Sequence, residues 1–76
     1  MTLHHLDARR LLCPLPVIRT QNTVKNLVPG DILHILASDP GVMQDIPAWA
    51  RVHGHSLVSA EKIDGEFHIR LEIGKT

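Results

Sequence analysis

The chain has 76 residues, 8 Lys and Arg against 8 Asp and Glu, and 43% hydrophobic residues. A chain of this size is a single domain that buries about 60% of its extended surface, too little for a deep, enclosed substrate cavity. Zero net charge, with Phe67 and Trp49 as the only aromatic residues, excludes a general nucleic-acid binder and a base-stacking platform, and the hydrophobic share excludes a disordered chain.

Leu3–Asp7 is short and mixed and reads as an edge strand, followed by a connection over Ala8–Leu12. No basic stretch runs into an apolar one at the start, and apolar runs elsewhere span only a few residues. Neither a secretory signal nor a membrane span is expected. Pro14 fits the first turn of a helix, where backbone N–H groups lack partners in any case. Val17, Val24 and Val28, with Thr20 and Leu27 beside them, form an apolar stripe at helical spacing, so the first helix is expected over Pro14–Leu27. Val28-Pro29-Gly30-Asp31 stops it and turns the chain.

Ile32–Ala37 is a nearly continuous, β-branched apolar run and reads as a central strand. Ser38-Asp39-Pro40-Gly41 is a turn or a helix entry. A second helix is expected over Val42–His53, with Asp45 as a cap and Pro47 inside it or opening its main part. Gly54 ends it. His55–Ile63 is strand-like and Asp64-Gly65 is a hairpin turn. Glu66–Ile73 then alternates, with Phe67, Ile69, Leu71 and Ile73 on one face and Glu66, His68, Arg70 and Glu72 on the other. The order β-α-β-α-β-β predicts a two-layer α/β sandwich over residues 1–76, a four-stranded mixed sheet with two helices on one face.

Chemistry concentrates at Cys13, the chain's one cysteine. A lone thiol forms no internal disulfide and suits a reducing compartment, so a cytoplasmic protein is expected. Cys13 directly precedes Pro14 and is expected at the helix N-cap. There the N–H groups of Leu15 and Val17 and the helix dipole favour a thiolate, while Pro14 and Pro16 stiffen the turn. Arg9, Arg10, Arg19 and Lys25 against Asp7 alone make the first part of the chain positive, which adds Coulomb support. Lowering a thiol by one unit from about 8.5 raises its ionised share at neutral pH from a few per cent to about a quarter, enough for a nucleophile.

Leu6-Asp7, five residues, then Cys13-Pro14-Leu15-Pro16 resembles the N-terminal signature of the TusA-like (SirA-like) sulfur-carrier family. The likeness continues through Pro29-Gly30-Asp31, Asp39-Pro40 and Asp45-Ile46-Pro47. It implies the same βαβαββ sandwich, with Cys13 accepting sulfane sulfur as a persulfide and passing it on. It also implies a cysteine desulfurase or rhodanese-like donor, and DsrE-like acceptors feeding tRNA 2-thiouridine formation or sulfur oxidation. With no second thiol in the chain to resolve it, the persulfide waits for an external nucleophile. Where many members of that family have glycine, this chain has Arg10. Arginine adopts positive φ at a cost, so a different loop before Cys13 is expected, with Arg10 tuning partner choice.

The remaining features are assigned around that thiol. Leu15 and Ile18, if exposed, form an apolar docking patch rimmed by Arg19 and Lys25. Asp39 and Asp45 are expected as caps, and the resemblance implies that both lie near the Cys13 end and shape the docking surface. Trp49 is assigned to the core. The six histidines, His4-His5 and His53-Gly54-His55 included, match no zinc spacing, so neither a metal nor a cofactor is expected. His34 reads as a hydrogen-bonded or partner-facing histidine. Two other functions stay open. One is a non-catalytic interaction or regulatory module in which Cys13 is incidental, and the other is a selenium- or redox-handling relative using the same thiol.

Overall fold

Six elements follow one another in the expected order: β1 (Leu3–Ala8), α1 (Leu15–Val24), β2 (Ile32–Ala37), α2 (Val42–Val52), β3 (Ser56–Ile63) and β4 (Glu66–Glu72). They are taken from a computed structural model that describes residues 2–74; Met1, Lys75 and Thr76 of the expected domain lie outside the described residues. The strands form one sheet in the order β1-β2-β4-β3. β1 and β2 are parallel, and β4 is antiparallel to both β2 and β3.

The core lies between the helices and one face of this sheet. β2 buries Leu33, Ile35 and Ala37, and β4 buries Phe67, Ile69 and Leu71, with Ile73 just beyond it. α2 adds Val42, Ile46 and Ala50, four residues apart and so on one stripe. Each fully buried Leu or Ile contributes about 1.5–3 kcal/mol. The apolar run of β2 is therefore covered on one face only, and Ile32, His34 and Leu36 point to the open side. On that open face, Nδ1 of His34 lies 3.0 Å from Nδ1 of His5, and its Nε2 lies 2.9 Å from Nδ1 of His68. His34 is thus hydrogen-bonded within the sheet.

α1 stops at Val24, short of the expected Leu27, and the chain tightens into turns in which Asn26 and Leu27 donate to the carbonyls of Thr23 and Val24. Its buried stripe is Pro16, Thr20 and Val24, with Val17 and Leu27 packed beside it, so of the expected stripe only Val28, 60% exposed, falls outside. Thr20 is tolerated in the core because its hydroxyl donates to the Pro16 carbonyl at 2.8 Å. α2 begins at Val42 with Gly41 as its N-cap, so Asp45 sits in the first turn and is not the cap. Pro47 lies inside α2 and leaves the Met43 carbonyl without its usual donor.

Asp31 pins the turn after α1. Its carboxylate accepts from the backbone N–H groups of Thr2 and Val28, each at 3.2 Å, and pairs with His4 Nε2 at 3.1 Å. Asp64 and Gly65 both have positive φ, 51° and 81°, and close the β3–β4 hairpin in a turn that matches the twist of the strands. The pairing of β3 with β4 shifts register between Leu57 and Ser59, which leaves Val58 as a bulge on an edge strand. The expected Trp49 core position is met in part. Trp49 is half-buried against the core and its ring stacks on His55.

Candidate functional site

β1 and β2 end side by side, since Ala8 is the registered partner of Ala37. Parallel strands send both following loops off the same end of the sheet, and each loop leads into a helix. The residues before α1 therefore meet the residues before α2, although 26 positions separate Cys13 from Asp39. Asp39 joins the two loops. Its Oδ2 accepts the Cys13 backbone N–H at 2.9 Å and its Oδ1 accepts the Gly41 N–H at 2.9 Å.

The half-buried sulfur of Cys13 sits over Gly41, at the start of α2. A Cβ built on Gly41 would come 3.0 Å from Sγ, 3.3 Å from Asp39 Oδ1 and 3.8 Å from Asp45 Oδ2. The missing side chain of Gly41 is thus the space in which thiol and carboxylates meet. Sequence reasoning missed Gly41; the Asp39-Pro40-Gly41 turn was its only signal.

The expectation of a stabilised thiolate is overturned. α1 starts at Leu15 with Pro14 at its N-cap, one residue beyond the expected position. The two expected donors are spent elsewhere: Leu15 N–H donates to the Leu12 carbonyl at 2.9 Å and Val17 N–H to the Pro14 carbonyl at 3.1 Å. Burial, then the nearby carboxylates of Asp45 and Asp39, push the Cys13 thiol up to about 11. An anion beside two carboxylates is disfavoured by burial and by like charge alike. Asp39 itself is held below the usual carboxylate range, because it accepts the N–H groups of Cys13 and Gly41.

The expected basic support is absent from the sulfur. Arg9 is bound to Asp7 at 2.9 Å and to Glu66 at 3.3 Å, across the sheet end. Arg10 is exposed and holds φ of 68°, so the left-handed turn that glycine favours is kept despite the side chain. Its backbone N–H donates to Ser38 Oγ at 2.8 Å, a further tie between the two loops. Arg19 lies exposed on α1 and Lys25 exposed at its C-cap. Leu12, which precedes Cys13, is 74% exposed, Leu15 46% and Ile18 45%, so apolar side chains are exposed at the start of α1. Pro16 is buried and Val17 packs on the core, so these two fix the helix rather than face outward. Among the described residues, no group of three or more His, Cys, Asp or Glu is placed to hold a metal ion. No described helix is long and apolar enough to cross a membrane.

The family model described as sulfurtransferase TusA matches residues 4–73. The chain is 37% identical over 67 residues to the sulfur carrier protein TusA of Allochromatium vinosum, covering 88% of each. It is 41% identical over 61 residues to a putative sulfur carrier protein of Aquifex aeolicus, covering 80% of this chain and 31% of that longer one. The fold is that of a SirA-like protein from Desulfitobacterium hafniense, with a TM-score of 0.83, 22% identity and coverage of 95% of this chain and 99% of that one.

Proposed function

The chain belongs to the sulfurtransferase TusA family and is a sulfur carrier, and we propose that a single domain carries the sulfur as a persulfide on Cys13. The observation that supports this most is that Cys13 is the chain's one thiol and stands half-exposed where two loops converge. Loading is a displacement at sulfur. Cys13 Sγ attacks the sulfane sulfur of a donor persulfide, a new S–S bond forms, and the donor's own S–S bond breaks. The electron pair leaves on the donor's sulfur, which takes up the proton lost by Cys13. No oxidant is consumed, and the reverse sequence unloads the carrier onto an acceptor thiol. The chain works as a relay rather than a turnover enzyme.

Cysteine desulfurases or rhodanese-like proteins are the donors in this reading, and DsrE-like proteins are the acceptors, serving tRNA 2-thiouridine formation or sulfur oxidation. Docking is assigned to Leu15 and Ile18 with Arg19 and Lys25 as a charged rim, to Asp39 and Asp45 beside the sulfur, and to Arg10 on the loop before it. A lone thiol suits a reducing compartment, and we place the carrier in the cytoplasm. Intact mass spectrometry after incubation with a cysteine desulfurase and cysteine tests the reading. A gain of whole sulfur atoms on Cys13, absent in Cys13→Ser, is the expected result. A chain that gains none under any donor is instead an interaction module with an incidental cysteine, a reading that the carboxylates around the unloaded thiol favour.

A further inference from the structure

The surroundings of Cys13 pose a chemical problem. Sulfur transfer needs a nucleophilic sulfur, and the groups that act on this one are burial and two carboxylates. Among the described residues no lysine, arginine or histidine hydrogen-bonds to Asp39 or Asp45, and neither carboxylate is in an ion pair. The two acids also differ. Asp39 is committed, with each oxygen accepting a backbone N–H at 2.9 Å. Asp45 is exposed in the first turn of α2, and among the described residues its carboxylate has no hydrogen-bond or ion-pair partner, yet its Oδ2 lies beside the sulfur, 3.8 Å from a Cβ built on Gly41 that would meet Sγ at 3.0 Å. Its carboxylate faces the same space over Gly41 that the sulfur occupies.

Resting on the carrier reading, we infer that the sulfur donor activates Cys13 by setting a lysine or arginine side chain against Asp45. The surface fits such a partner. Leu12 and Leu15, on either side of the Cys13-Pro14 pair, and Ile18 further along α1 are exposed, and the Asp45 carboxylate, unpaired among the described residues, faces the sulfur, so an apolar contact surface carrying one cation is complementary to this end of the molecule. A cation there cancels the negative charge that, beside the sulfur, opposes the thiolate. The sulfur then ionises only while a donor is docked. The proton it loses goes to the donor's departing sulfur, so the exchange stays balanced as written above. The free carrier, by the same geometry, keeps its one thiol protonated and slow toward oxidants and alkylating agents.

The test uses the donor that loads Cys13 in the mass assay, with its transferring cysteine replaced by serine so that it docks but does not react. Thiolate ultraviolet absorbance is followed against pH for the free carrier and for the complex. Docking is expected to raise the thiolate share at neutral pH at least about tenfold, a shift of one unit or more. In Asp45→Asn the free thiol is expected to ionise more readily than in the wild type, and docking then adds little; Asp45→Glu restores the wild-type response. A titration that docking leaves unchanged, or an Asp45→Asn chain that still shows the full shift, overturns the inference while a loaded Cys13 leaves the carrier reading standing. A carrier that no donor loads overturns both.

Discussion

The backbone N–H of Cys13 donates to Asp39 Oδ2 at 2.9 Å, so the residue proposed to carry the sulfur is held in place by the loop that opens the other helix. The same carboxylate holds the Gly41 N–H. Asp39→Ala removes both anchors and one of the two charges beside the sulfur. The chain is expected to fold, to unfold at lower urea, and to alkylate at Cys13 about tenfold faster at neutral pH than the wild type. Urea titration and timed iodoacetamide labelling read the two effects. An unchanged labelling rate contradicts the electrostatic role given to Asp39.

Acid destabilises this fold in two steps. Burial pushes His34 below its ordinary value, with the charges of His68, Arg70 and His5 adding to it; burial, then His53, does the same to His55. A histidine depressed in the folded state binds its proton first in the unfolded chain. Its stability is therefore fully present above about pH 6.5 and is lost as pH falls toward the folded value. Asp31 and Asp39 are held low in the folded state, chiefly by backbone N–H groups from Val28 and Cys13 respectively. Their contribution is present above about pH 4 and is lost as pH falls through the folded values. Urea midpoints between pH 8 and 3 are expected to fall first near about pH 6 and again below about pH 4. A flat profile down to about pH 4 contradicts the assignment to His34 and His55.

The fold was legible where side-chain period and turn chemistry act locally. The alternation of Phe67, Ile69, Leu71 and Ile73 marks β4 and its buried face, and Asp64-Gly65 marks the hairpin. Those signals need no knowledge of the rest of the chain. The family resemblance placed Asp39 and Asp45 near Cys13, but the charge state they impose on the thiol was not legible, for the opposite reason. A local view of the Pro14 helix start points to amide donors and a helpful dipole, yet Leu12 and Pro14 take those donors with their own carbonyls. The groups that do reach the sulfur come from Asp39, Gly41 and Asp45, which only the parallel pairing of β1 with β2 brings alongside. Val28 went astray in a similar way. Its spacing fits the helical stripe, but the helix has already ended and the Asp31 carboxylate holds its backbone in a turn.

Gly74 is required for space. A Cβ there would overlap the carbonyl oxygen of Gly54, a backbone atom that no side-chain rearrangement moves. Gly74 also donates its N–H to His55 Nδ1 at 3.0 Å, so a shift of the strand end breaks that bond as well. Gly74→Ala is expected to cost about 1–3 kcal/mol in urea unfolding. A loss under about 0.5 kcal/mol, the range of a neutral surface change, contradicts this contact.

Arg10 holds a left-handed backbone with φ of 68°. That conformation costs a side chain about 1–2 kcal/mol, against about 0.5–1 kcal/mol of extra chain entropy lost when glycine is ordered. Arg10→Gly is therefore expected to stabilise the chain by up to about 1.5 kcal/mol. It is also expected to change transfer to one partner more than to another, because the exposed guanidinium is lost while the loop keeps its path. Thermal unfolding, with transfer rates for donor and acceptor measured separately, checks both parts. A clear loss of stability contradicts the strain.

The most direct test of the carrier follows a single sulfur atom through Cys13. The chain is loaded by a desulfurase and cysteine bearing radiolabelled sulfur, freed of donor, and mixed with a DsrE-like acceptor. The label is predicted to leave Cys13 and appear on an acceptor cysteine, with none captured when Cys13→Ser is carried through the same steps. Label that stays bound to the chain in the presence of every acceptor, or that binds Cys13→Ser equally well, contradicts a persulfide relay at this thiol.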